Sequence, residues 1–105
     1  MKLDVLICTY NERVVHVPDV LLPYRPDVSY IVSMQYTDKK YFQYIPGELK
    51  NRRDVKLIFL EGKGLSRNRN HCLDAATGDI ALIADDDCRY KDEYFDRIVE
   101  TFGSH

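Results

Sequence analysis

The chain has no tryptophan, only three cysteines, and no apolar run near the roughly 18 residues that a membrane span requires. No signal-peptide pattern opens it. Cys8, Cys72 and Cys88 are odd in number and scattered, which excludes a disulfide framework and a paired-cysteine metal knot. A reduced, cytoplasmic setting is therefore expected. Five glycines and four prolines in 105 residues leave no low-complexity stretch or linker. Charge of one sign is also missing. Fifteen Lys and Arg face seventeen Asp and Glu, a formal net charge of −2. That balance excludes a general nucleic-acid binder driven by counterion release.

What remains is globular in character: 45% hydrophobic and 30% charged residues, enough chain for one domain. The charges are unevenly placed. Residues 1–38 carry three basic and five acidic side chains, residues 39–71 nine and three, and residues 72–105 three and nine. Two solvated faces would account for this, and so would the two halves of a site holding phosphate and metal together.

The hydrophobic pattern predicts four strands. Leu3–Cys8 reads as a strand buried on both faces, stopped by Thr9-Tyr10-Asn11. Val28–Met34, Val55–Leu60 and Asp79–Ala84 are the others. Between them, Val14–Leu22 reads as a short helix broken by Pro18 and Pro23, and Asp38–Leu49 as helix-like but interrupted by Pro46-Gly47. Ser66 is placed to cap a helix running to Ala76, with Leu65, Arg69, Cys72, Leu73 and Ala76 on one side and Gly78 closing it. Asp92–Phe102 is a last amphipathic helix. Strand and helix in alternation predict a mostly parallel four-stranded sheet with helices on both faces. One domain over 1–102 is expected. Gly103-Ser104-His105 resembles a tag junction, beyond which a natural chain would continue.

Ligands of open α/β sheets bind outside the carboxyl ends of the strands. Three polar clusters fall there: Thr9–Glu12, Gly62–Asn70 and Asp85–Asp87. Three adjacent carboxylates repel one another unless a cation sits among them, and Mg²⁺ or Mn²⁺ suits such oxygen donors. On a strand Asp85 and Asp87 share a side and Asp86 takes the other. Helix-capping aspartates in a solvated loop are the plainer reading of the same triplet. Lys63, Arg67, Arg69 and His71 gather at a predicted helix start, where free N–H groups attract phosphate. The spacing matches neither a Walker loop nor a dinucleotide fingerprint, and a solvated basic face explains it as well. Tyr10 has a ring to offer a nucleobase and Glu12 an acceptor. Tyr36, Tyr41, Phe42 and Tyr44 beside Lys39 and Lys40 read as packing, and His16 and His71 have no partner at metal-ligand spacing.

Taken together these segments resemble family 2 glycosyltransferases. Val5-Leu6-Ile7-Cys8-Thr9-Tyr10-Asn11-Glu12 is similar to the family's opening strand and turn. Gly64-Leu65-Ser66-Arg67-Asn68-Arg69-Asn70, followed by Leu73, Ala76, Gly78 and Asp79, resembles its GLSxARNxGLxxAxGD segment. Ile80–Asp87 resembles the strand that ends in the DxD motif. The likeness spans about residues 3–100 in order. It implies a Rossmann-like GT-A fold, a UDP- or GDP-linked sugar donor, and Mn²⁺ or Mg²⁺. By the same resemblance Cys8, Tyr10 and Glu12 border the nucleobase, Thr9 lies among the residues that bind the nucleotide-sugar, and Arg69 holds the nucleotide end of the donor. Asp85 and Asp86 meet the nucleotide-sugar, and Asp85 and Asp87 bind the metal on the diphosphate.

Two departures stand out. Met34 and Gln35 occupy the place of the family's acidic pair after the second strand, so Gln35 is left to pair with the base through its amide and the preferred nucleotide stays open. The length is about half the family's usual domain, whose later half carries the acceptor site and catalytic base. The chain thus reads as a donor-binding half, catalytically inactive alone, with saccharide or lipid acceptor unknown. The fourth strand would present an open edge for a homodimer, and a full-length protein would sit in the cytoplasm or at a membrane face. A non-catalytic nucleotide-binding module of the same fold and a nucleotidyltransferase are the alternatives.

Overall fold

The computed structural model describes residues 2–85. The predicted helix at Asp92–Phe102 and the carboxylates of Asp86 and Asp87 lie outside the described residues. Four strands form one sheet: β1 (Leu3–Tyr10), β2 (Val28–Tyr36), β3 (Val55–Glu61) and β4 (Ile80–Asp85), in the order β3-β2-β1-β4. Every pairing is parallel. β1 is central, and seven of its eight residues are buried, as its unbroken apolar run requires of a strand covered on both sides.

The two faces are packed differently. Leu3, Val5 and Ile7 of β1 and Val28, Tyr30, Val32 and Met34 of β2 point to one face. A 3-10 helix over Asn11–Asp19 covers that face through Val14 and Val17, with help from Leu49 of α1 (Gly47–Asn51). Leu6, Cys8 and Ile31 point to the opposite face and pack against Cys72 of α2 (Leu65–Ala75). The chain therefore crosses from β1 to β2 to β3 over one face and from β3 to β4 over the other.

Three local expectations are corrected. The Val14–Leu22 helix is the tighter 3-10 helix beginning at Asn11, with Pro18 near its end unable to donate a backbone bond. Asp38–Leu49 splits at Pro46 into a 3-10 helix (Lys39–Tyr44), whose start is capped by Asp38 accepting from the Lys40 N–H, and the single turn α1. In α2 the cap is Gly64, not Ser66, because the chain turns into the helix at a φ of 118° that only glycine adopts freely. At its other end α2 stops at Ala75, before Gly78. Gly78 serves a different purpose. A Cβ there would stand 3.0 Å from the Asp4 carboxylate and from the Lys2 carbonyl, so the chain closes on β1 only with glycine at this point. Asp4, 1% exposed, accepts N–H bonds from Thr77 (2.8 Å) and Gly78 (2.6 Å) and latches the segment between α2 and β4 to the start of β1.

The stripe expected on α2 is also different. Leu65 and Leu73 are exposed, and the residues turned fully inward are Asn68 and Cys72, one turn apart. Both bond to the sheet's backbone. Asn68 Nδ2 donates to the carbonyls of Thr9 (3.3 Å) and Ser33 (3.2 Å), and Cys72 Sγ to that of Ile31 (3.4 Å). A second polar anchor lies on the far edge. Arg52 donates bidentately to Asp54 (2.9 and 2.6 Å) and to the carbonyl of Leu22 (2.8 Å), with its guanidinium 5.6 Å from the Tyr30 ring centre. The hydrogen bond to Asp54 raises the arginine's pKa further above its ordinary value.

Candidate functional site

Where a parallel sheet is entered from two directions, the loops at the strand ends part and leave a crevice. Here that point lies between β1 and β4. The strand after β1 is laid on one side of it, β4 on the other, and the connections run over opposite faces. The register then states which residues meet at this rim. Cys8 is paired with Asp85, and Tyr10 with Gln35. The polar cluster at the end of β1 thus stands beside Asp85, the last residue of β4. The cluster Gly62–Asn70 reaches the same rim by way of β3 and the amino end of α2.

Each loop is shaped to stay there. After Tyr10 the chain turns at Asn11, whose φ of 49° is a left-handed value that asparagine tolerates better than most residues. The Asn11 side chain clasps the end of β2: Oδ1 accepts from the Thr37 N–H (3.0 Å) and Nδ2 donates to Thr37 Oγ1 (3.3 Å). After β3, Gly62 N–H donates to the carbonyl of Tyr36 (2.8 Å), and Gly62 and Gly64 both take positive φ around Lys63. Arg67 folds back over Gly62, with Nη1 3.3 Å from where a Cβ would stand.

The candidate residues differ in accessibility. Cys8 and Thr9 are buried, Tyr10 and Arg69 half-buried, and Glu12 exposed in the first turn of the 3-10 helix. Cys8 lies on the α2 side in one cluster with Cys72. Its proximity, together with burial, pushes the Cys72 thiol well above its ordinary pKa, so Cys72 remains a thiol. Asp85 ends β4, and the described residues stop there. Gln35 is 3% exposed, and its Nε2 has no hydrogen-bond partner. Ser33 Oγ and Asn68 Oδ1 are in the same position, so the buried unpartnered side-chain atoms among the described residues converge between the end of β2 and the first turns of α2. Unpaired polar groups in a protein interior cost about 1–3 kcal/mol each, and native structures hold few of them.

Asn68 is the residue that sequence reasoning missed. Within a helix an asparagine reads as solvated or as a poor helix former. Its partners are 59 and 35 residues away in the chain, and no local pattern announces them. The only signal was the absence of an alternative, since α2 has few apolar residues with which to face the sheet.

As a chemical arrangement, the rim offers a ring (Tyr10), an amide (Gln35) and the amino end of a helix flanked by Lys63, Arg67 and Arg69. Groups of these kinds can meet the base and the phosphates of a nucleotide. Comparison with known proteins agrees at the level of family. The profile of Glycosyl transferase family 2 matches residues 27–105. That span holds β2, the Gly64–Asp79 segment and the Asp85–Asp87 triplet, while β1 and Thr9–Glu12 precede it. No curated protein matches the chain. With three quarters of its length matched and a four-stranded parallel sheet covered on both faces, as in the first half of a GT-A domain, the chain belongs to the family 2 glycosyltransferases.

Proposed function

We propose that this chain is the donor-binding half of a glycosyltransferase that takes its sugar from a UDP- or GDP-linked donor with the aid of Mn²⁺ or Mg²⁺. The observation that carries the reading is the reversal of strand order between β1 and β4, at whose carboxyl ends Cys8 and Asp85 stand in register. The nucleobase lies against Cys8, Thr9 and Tyr10, with Glu12 at its edge, and the free amide of Gln35 pairs with the base. Arg69 holds the nucleotide end, while the open amino end of α2 faces the phosphates. Asp86 meets the nucleotide-sugar beside Asp85.

The donor set fits a hard divalent cation. Three successive carboxylates at the end of a strand are all oxygen ligands, and Asp85 and Asp87 have the two-residue spacing at which strand side chains share a side. A bound cation there supplies charge neutralisation for the departing nucleoside diphosphate. The chain's own residues hold the base, fix the diphosphate against the sheet rim and orient the anomeric carbon outward. The acceptor hydroxyl, from a saccharide or lipid, attacks that carbon directly with inversion, and the base that removes its proton lies outside this chain. The isolated chain accordingly binds donor without transferring sugar. It acts in the cytoplasm or at a membrane face. No helix among the described residues is long and apolar enough to cross a membrane.

The test is calorimetric titration of UDP and GDP into the chain with and without Mn²⁺. Binding of one nucleotide that appears only with metal is expected. A second reading, a non-catalytic nucleotide-binding module, is favoured by Met34 and Gln35 in place of the family's acidic pair. It predicts binding without donor hydrolysis even when the chain is extended.

β4 pairs with β1 alone among the described residues, and Ala81 and Ile83 on it are exposed, Ile83 by 43%. An open parallel edge is a template for another strand. Light scattering is expected to show dimers forming through this edge as concentration rises. A clean monomer at high concentration would remove the homodimer from the proposal.

A further inference from the structure

α2 begins without a side-chain cap, and in its first turns Asn68 is bonded to the sheet. The carboxamide is 98% hidden from solvent, and it spends both donor hydrogens on the ends of two different strands. One goes to the carbonyl of Thr9, the residue before Tyr10. The other goes to the carbonyl of Ser33, two residues before Gln35. On α2 itself Asn68 lies between Arg67 and Arg69. The Asn68 amide thus ties together three groups assigned above to the donor: the ring at the end of β1, the amide at the end of β2, and Arg69 at the start of α2.

A role in stability alone explains this poorly. Asn68 Oδ1 is left unpartnered in the interior, and asparagine is among the weaker helix formers. A small apolar residue would pack α2 without either cost, since a half-satisfied polar group is worse than none. Cys72, one turn on, shows a plainer way of holding the same helix, with a thiol on the Ile31 carbonyl.

We infer that Asn68 is a positioning residue for the nucleotide, which fixes the first turn of α2 at the distance from β1 and β2 that lets base and phosphates be held at once. The inference rests on the donor-site reading above. It predicts that loosening Asn68 harms binding out of proportion to stability, because binding sites are sensitive to displacements of about 1 Å.

The test compares Asn68→Ala and Asn68→Asp with Cys72→Ala, which loosens the same helix one turn away. For each, UDP and GDP affinity with Mn²⁺ is set beside the melting temperature. Asn68→Ala is expected to weaken nucleotide binding on the order of tenfold, as lost supporting contacts commonly do. Asn68→Asp is expected to weaken it further, since it turns an oxygen toward two carbonyls. Cys72→Ala, at a similar loss of melting temperature, should bind within about twofold of wild type, if only Asn68 sets the geometry. Should Asn68→Ala not fold, Asn68→Ser keeps one donor and takes its place. The inference is overturned if the Asn68 variants bind like wild type, or if Cys72→Ala loses as much affinity for the same loss of stability. Wild type that binds neither nucleotide overturns the donor-site reading itself, and this inference falls with it.

Discussion

Asp87→Ala should abolish the metal dependence of nucleotide binding. In the wild-type chain without metal, Asp85, Asp86 and Asp87 place like charges beside a diphosphate, and that repulsion keeps affinity low. On the proposed reading Asp85 and Asp87 become ligands when Mn²⁺ is added, and the sign of the field at the phosphates reverses. Wild type should therefore gain on the order of a hundredfold in affinity when metal is added. Asp87→Ala should gain little, and in the absence of metal it should bind slightly better than wild type, because one repelling charge has gone. Titration of UDP and GDP with and without Mn²⁺ measures all four affinities. Equal metal dependence in wild type and variant would show that the triplet caps a loop and holds no cation.

The second large effect concerns stability. Arg52→Ala is expected to cost about 3–5 kcal/mol, since it leaves the Asp54 carboxylate, 3% exposed as a side chain, without its cation. The same change frees the Leu22 carbonyl and uncovers one side of Tyr30. Domains are stable by only about 5–15 kcal/mol, so the loss takes a large share of the whole. Denaturant unfolding followed by circular dichroism reads it directly. The double variant Arg52→Met with Asp54→Leu should recover most of the loss, because a buried pair replaced by apolar side chains of similar size is often neutral. If the double variant is no better than Arg52→Ala alone, the cost lies in packing and not in the orphaned charge.

The fold was legible in the sequence to the extent that burial leaves a local trace. β1 is buried on both faces, so Leu3–Cys8 is apolar apart from Asp4, and its reading as a strand buried on both faces followed. β2 and β4 were legible as short apolar runs rich in β-branched residues, and the three clusters followed from the strand ends. The bounds of β1 and β2 were set too short, because Thr9, Tyr10, Gln35 and Tyr36 are polar or aromatic and yet continue the ladder. The first 3-10 helix was placed three residues late, and the second was run together with α1. Their apolar residues repeat at intervals that three and four residues per turn both satisfy over so short a stretch. The cap of α2 was misplaced because Ser66 has the chemistry of a cap, whereas Gly64 has the required backbone. The anchors formed by Asp4, Asn68 and Arg52 were invisible for a common reason. Each joins groups that become neighbours only when the sheet is assembled, Asp4 with Thr77 and Gly78 across more than 70 residues.

The strand order also has a consequence for synthesis. β1, β2 and β3 are added outward one after another, so the first sixty residues can pair as they leave the ribosome. β4 must return past both to the exposed side of β1, where Leu3 meets Ile80. Until then β1, seven of whose eight residues are buried, is an open edge, and the nascent chain passes through an interval in which it is adhesive. The Asp4 latch on Thr77 and Gly78 lies just ahead of β4, so its closure would align the incoming strand before the first ladder bond forms. Among the described residues the last strand to arrive is also the one that ends at Asp85. A chain stalled before Asp79 would therefore carry the end of β1 with nothing in register opposite Cys8.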